Sequence, residues 1–202
     1  SGMIYSHIDD DIFCGFYAGS SVDVALAEGK VRLEQRTQYP FEGRIELDVM
    51  PENDGEEFTL WLRIPTWCTD RFVAGELYSY ADGESGKSPK AKVNGMRVRA
   101  EVVDGYLPVK RSWKRGDKVV LELPMPVRYS VADARVEADR GRLCVPRGPL
   151  VYCAESVDNS HNPIHYFISD FGHQGEFEYA KDGVHPNLEG YKIMEAILLE
   201  NL

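Results

Sequence analysis

The sequence predicts a mainly β chain: an antiparallel, jelly-roll-like β-sandwich followed by one C-terminal α-helix. Three observations predict it. Apolar and polar residues alternate with period two through the first three quarters of the chain. Turn-forming clusters separate the alternating runs at short intervals. The last segment, "NLEGYKIMEAILLENL", changes to a helical period. The implied division is a sandwich over residues 4–158 and a linker with helix over 159–202.

In "RIELDVM", Ile45, Leu47 and Val49 share one face while Arg44, Glu46 and Asp48 share the other. "EFTLWLRIP" places Phe58, Leu60, Leu62 and Ile64 on one side, with Trp61 on the opposite side. "KVVLELP" repeats the pattern with Val119, Leu121 and Leu123. A strand with one buried and one solvated face belongs to an antiparallel sheet. "AEGK", "PENDGEE" and "KRGDK" read as turns. Asn94-Gly95 between "AKV" and "MRV" is a hairpin signal, because both central residues of a type I′ turn need positive φ. Residues 79–90, "SYADGESGKSPK", are polar and read as an exposed loop. In the last segment Asn187 is placed to cap a helix whose Leu188, Tyr191, Met194, Leu198 and Leu202 share a side.

Of 202 residues, 43% are hydrophobic and 28% charged, a globular balance. No apolar run approaches the ~20 residues of a membrane-spanning helix. Ser1-Gly2-Met3 lacks the basic and apolar regions of a signal peptide. The expectation leaves localisation open between cytoplasmic and periplasmic or secreted. The net charge of -10 argues against nucleic acid and against an anionic membrane as partners. The four cysteines, Cys14, Cys68, Cys144 and Cys153, form no CxxC pair, which speaks against a zinc site and for buried thiols. Cys144 and Cys153 fall in neighbouring apolar strands, and their redox state stays open. His161, His165 and His173 crowd "HNPIHYFISDFGH", but Pro163 opposes a helix. On a strand His161 and His165 would stand about 13 Å apart, too far for one ion. No metal and no cofactor is expected.

Several blocks together resemble one family. "MIYSHIDDDIFCGFYAGSSVDVAL", "LRIPTW", "KVNGMRV", "WKRGD" ahead of "LELPMPVR", and "RGPLVYCAE" are similar, in order, to the β-L-arabinofuranosidase family, glycoside hydrolase family 127. The resemblance covers residues 4–159. It implies a β-sandwich that supports a catalytic (α/α)6 barrel, the barrel preceding these blocks and carrying a cysteine nucleophile and a zinc ion. None of the four cysteines matches the family's paired-cysteine motif, and Cys14 falls on an ordinarily apolar strand position. No catalytic residue carries over. The expected function is therefore a non-catalytic accessory domain, with a bacterial source implied by the resemblance alone.

The tail suggests something else. "DGVHPNLEGYKIM" resembles the last block of SGNH/GDSL hydrolases, over residues 174–202. That resemblance implies Asp182 and His185 as the acid and base of a Ser-His-Asp site. The nucleophile and oxyanion-hole blocks have no counterpart, so the pair reads as a relic or as a helix-capping turn, the alternative being an SGNH-type esterase that uses Asp182 and His185 with an unidentified serine.

Two further readings follow from residue types. A glycosidase needs two carboxylates about 5–10 Å apart, and 33 acidic residues do not single out a pair. "DDD" at Asp9–Asp11 reads as a solvated turn. Trp61, Trp67 and Trp113 are candidate sugar-stacking rings, weighed against packing beneath a neighbouring domain. The expected partners are a glycan ligand and a second copy of the chain, docked through the face a barrel would otherwise cover.

Overall fold

The computed structural model describes residues 3–152, apart from 28, 70, 74, 84, 140 and 141. The expected linker and C-terminal helix, residues 159–202, lie outside the described residues. The chain divides into two compact units. The first comprises residues up to Gly75, Asp82–Pro126 and Arg147–Leu150. The second gathers Glu76–Ala81 and Val127–Pro146 with the residues from Val151 on.

The described residues are mainly β. In chain order the strands are β1 (Tyr5–Ile8), β2 (Asp11–Cys14), β3 (Ser20–Leu26), β4 (Gly29–Thr37) and β5 (Arg44–Pro51). β6 (Glu56–Arg63), β7 (Tyr78–Tyr80), β8 (Lys90–Val93), β9 (Met96–Arg97) and β10 (Tyr106–Trp113) follow. The last are β11 (Asp117–Glu122), β12 (Ser130–Ala132), β13 (Leu143–Arg147) and β14 (Leu150–Tyr152). Short 3-10 turns occur at Thr66–Cys68 and Glu137–Asp139, and no α-helix occurs among the described residues.

In the first unit a four-stranded sheet runs β1-β2-β6-β10, and a six-stranded sheet runs β3-β4-β5-β11-β8-β9. Neighbouring strands are antiparallel, as the alternation predicts, with one exception. β2 lies parallel to β6, pairing Phe13 with Trp61. This pair departs from the antiparallel arrangement that the alternation predicts, because a strand with one solvated face favours antiparallel neighbours without excluding a parallel one.

The period-two residues point as expected. Leu60 and Leu62 of β6, Ile45 and Leu47 of β5, and Val119 and Leu121 of β11 are fully buried. Both sheets contribute to one apolar cluster. Each such side chain contributes about 1.5–3 kcal/mol when removed from water. The Asn94-Gly95 turn joins β8 to β9, and Asn94 (φ 50°) and Gly95 (φ 80°) both take the positive φ the hairpin requires. "DDD" is also a hairpin turn: Ile8 pairs with Asp11, and Asp10 accepts a hydrogen bond from the Ala27 amide at 3.1 Å.

The segment Trp113–Asp117 carries the chain from the four-stranded to the six-stranded sheet. Gly116 turns at φ 88°. Asp117 accepts hydrogen bonds from the Lys114 amide (3.0 Å) and the Asn94 side chain (2.7 Å). Burial alone would raise the Asp117 pKa. The Asn94 and Lys114 bonds and the nearby Arg111 outweigh it and hold the carboxyl below its ordinary value.

The third sheet, β14-β13-β12-β7, has most of its residues in the second unit. Its β7 corrects the expectation that 79–90 is all loop, since Ser79 and Tyr80 are paired with Val131 and Ser130. A three-residue strand is too short for alternation to register. Tyr80 is buried there, with the Arg128 guanidinium 3.8 Å from its ring centre, a cation–π contact.

Candidate functional site

The outer face of the four-stranded sheet carries an aromatic platform. β2, β6 and β10 lie side by side, and their core-facing residues are Ile12, Leu60, Leu62 and Leu107. Alternation sends the intervening residues Phe13, Trp61 and Tyr106 to the other face. Phe13 stacks on Trp61 at 5.6 Å, with planes 10° apart, and meets Tyr106 edge-on at 5.5 Å. The Arg63 guanidinium lies 6.0 Å from the Tyr106 ring centre. All three rings are half-buried, and Arg63 is exposed. The Trp61 Nε1 is covered yet has no hydrogen-bond partner.

A second aromatic group surrounds the 3-10 turn. Trp67 stacks against Tyr39 at 6.4 Å, and Tyr39 meets Tyr17 edge-on at 5.9 Å. The Tyr17 hydroxyl donates to the Arg63 carbonyl at 2.6 Å. Burial pushes the Tyr39 pKa up, while a hydrogen bond from Trp67 and the charge of Arg63 oppose the rise. Arg63 therefore stands between the two groups.

The three tryptophans separate. Trp61 is on the outer face as the pattern predicts. Trp67 is half-buried and packs against the core. Trp113 is fully buried, stacks on Phe58 at 5.3 Å and donates to its carbonyl at 3.0 Å. A sugar cannot reach that ring, so Trp113 is a core residue. "WKRGD" disguised this, because a ring next to a turn usually sits near solvent. Phe13, Tyr106 and Tyr39 are the partners the sequence reading missed. Extending the alternation count to "DIFC" and "YLPV" would have placed the first two.

The described cysteines are covered thiols. Cys14 and Cys68 are buried, and Cys144 is half-buried. Burial pushes Cys14 up to about 12 and raises the other two. Among the described residues no group of three His, Cys, Asp or Glu side chains could hold a metal ion. Asp182, His185, Cys153 and the three crowded histidines lie outside the described residues.

Comparison with known proteins gives this geometry a family. Residues 11–125 match the β-L-arabinofuranosidase GH127 middle domain, and residues 127–193 match the glycoside hydrolase family 127 C-terminal domain. The chain belongs to glycoside hydrolase family 127. A non-reducing end β-L-arabinofuranosidase of Bifidobacterium longum subsp. longum is 32% identical over 140 residues, which is 68% of this chain and 19% of that protein. A solved GH127 β-arabinofuranosidase superposes with TM-score 0.70 at 39% identity, over 77% of this chain and 24% of that one. A GH127 β-L-arabinofuranosidase from Geobacillus stearothermophilus T6 gives TM-score 0.65 at 35% identity, over 77% of this chain and 22% of that one. The chain spans about a fifth of the length of the Bifidobacterium relative.

The two GH127 matches meet between residues 125 and 127, and Pro126–Val127 is one of the points where the chain passes from one compact unit to the other. The C-terminal match runs across Asp182 and His185 to residue 193. These findings lend no support to an SGNH/GDSL tail over 174–202.

Proposed function

We propose that the chain is a non-catalytic, sandwich-type accessory region of an arabinofuranosidase-like glycoside hydrolase. One observation carries the reading: both family matches are to the middle and C-terminal domains, and the family resemblance puts the catalytic barrel before them. The shared core of the four- and six-stranded sheets supports a sandwich description. The raised thiols of Cys14, Cys68 and Cys144 agree, since a thiol protonated at neutral pH is a poor nucleophile. The test is an assay of the purified chain with a chromogenic β-L-arabinofuranoside. No release above buffer is expected, and saturable release would overturn the reading.

The aromatic platform favours a second reading, a carbohydrate-binding surface. Trp61, with Phe13 stacked beside it, offers a flat apolar ring to the C–H face of a sugar, and Arg63 supplies hydrogen-bond donors at its edge. Trp67 extends the aromatic surface beyond Arg63. Titrating arabino-oligosaccharides against tryptophan fluorescence tests this. Expected is a saturable change that disappears in Trp61→Ala. The competing occupant of the platform is a protein surface, such as a second copy of the chain. Light scattering that gives a dimer mass for the chain and a monomer mass for Trp61→Ala would favour that occupant.

A further inference from the structure

The six-stranded sheet presents a different surface on its own outer face. Its registers set out two rows of side chains across the strands. One row is Arg44 on β5, Glu122 on β11 and Lys90 on β8. The next is Arg36 on β4, Glu46 on β5, Val120 on β11, Lys92 on β8 and Arg97 on β9. Towards β4 and β5 the charges compensate, with Arg36 on Asp48 and Arg44 on Glu46. Towards β8 and β9 they do not. Lys92 stands directly opposite Arg97, a like-charge cross-strand pair that works against the sheet. Glu122 is shared by Arg44 (3.5 Å) and Lys92 (3.7 Å). Among the described residues Lys90 and Arg97 have no carboxylate partner within salt-bridge distance.

These cations line a wide cleft of ≈ 820 Å³. Lys87, Lys90, Arg97, Arg44 and Arg147 line it, together with Glu42 and Glu122. Five cationic side chains against two carboxylates make a basic patch on a chain of net charge -10. The half-buried Arg147 donates to the Phe41 carbonyl at 3.2 Å, which fixes the rim. Phe41 itself is 66% exposed and adjoins Glu42, which lines the cleft.

We propose that this cleft binds an acidic sugar, a uronate-bearing oligosaccharide. A uronate presents a carboxylate to lysine and arginine donors and a C–H face to an aromatic ring. Lys90 and Arg97 line the cleft, and the exposed Phe41, next in sequence to the lining Glu42, brings a ring to its rim. Nucleic acid fits less well, because a long polyanion meets the repulsion of the whole acidic chain, whereas a short ligand with one to three charges does not. An inorganic anion would leave Phe41 unused. The cleft is on the six-stranded sheet and the aromatic platform on the four-stranded one, so this proposal stands or falls separately from the sugar reading of Trp61.

The test is an NMR titration of the whole chain with tri-galacturonate in about 20 mM salt, where exposed charges are least screened. Arabinotriose, inorganic phosphate and polyglutamate serve as comparison probes. Expected are saturable shifts at Phe41, Lys90 and Arg97 with tri-galacturonate, and binding about tenfold weaker in Lys90→Gln/Arg97→Gln. Phe41→Ala, at an exposed position, should weaken tri-galacturonate and leave any phosphate binding unchanged. No shift at the cleft would overturn the proposal. So would equal binding of arabinotriose, phosphate or polyglutamate, or indifference to both variants.

Discussion

The Trp113 indole N–H donates to the Phe58 carbonyl at 3.0 Å while its ring stacks on the Phe58 ring at 5.3 Å. One fully buried side chain at the end of β10 thus binds both the backbone and the ring of the neighbouring strand. Arg111 closes over it, with its guanidinium 5.4 Å from the Trp113 ring centre. Trp113→Ala should cost about 3–5 kcal/mol, the usual range for deleting a large buried aromatic. Trp113→Phe keeps the apolar filling and loses the donor, so it should cost about 1–3 kcal/mol. Urea unfolding of the three proteins measures both, and equal loss in the two variants would contradict the division between packing and hydrogen bond.

Asp117 should make stability acid-sensitive. Its pKa in the folded protein is lowered from an ordinary value of 3.8. A lowered folded-state pKa stabilises the fold at pH above the unfolded value, and that contribution is lost as pH falls through the folded value. The window is therefore below about pH 4. Asp117→Asn removes the linkage and the bonds to the Lys114 amide and Asn94 side chain that depend on the carboxylate, at about 1–3 kcal/mol near neutral pH. Melting curves from pH 7 downward should show the difference between parent and variant shrinking at the acid end. A constant difference would remove Asp117 from the account.

What was legible follows from which interactions are local. The faces of β5, β6 and β11 could be read because alternation is a property of consecutive residues. The Asn94-Gly95 hairpin could be read because the turn chemistry is contained in two side chains. The parallel β2–β6 pairing could not, since the residues it joins, such as Phe13 and Trp61, are far apart in sequence and the alternation points to antiparallel neighbours. Trp113 was misplaced because its burial depends on Phe58, again distant along the chain. The basic cleft was invisible for the same reason. Arg147 and Phe41 are 106 residues apart, and no motif links them.

The thiols give a chemical test of the core. Cys14 lies in β2 with no exposed surface, and Cys68 closes the 3-10 turn with 5% exposed. Burial holds both protonated, so neither supplies the thiolate that alkylating reagents need. Iodoacetamide at pH 8 should leave both unmodified in the folded chain and modify both in denaturant, as read by peptide mass spectrometry. Rapid labelling of Cys14 without denaturant would mean that β2 opens on its own.

Among the described glycines, Gly43 is the position where one methyl group should do the most damage. It immediately precedes β5 and faces the end of β11, where Leu123 donates its amide to the Gly43 carbonyl at 2.7 Å. A Cβ on Gly43 would overlap the Leu123 carbonyl oxygen, well inside van der Waals contact. The clashing atom is backbone and cannot rotate away. Relief would require separating β5 from β11, beginning at the Arg44–Glu122 pair, where Arg44 holds Glu122 at 3.5 Å. Gly43→Ala should therefore cost about 1–3 kcal/mol or more, the scale of forced overpacking. Gly19→Ala is the matched control, because a Cβ there meets nothing within 4 Å. Reduced chain entropy in the unfolded state should leave it neutral or more stable by up to about 1 kcal/mol. Urea midpoints of the two variants would separate a steric demand at one glycine from a general cost of replacing glycine. Equal midpoints would show that the β5–β11 junction yields without cost.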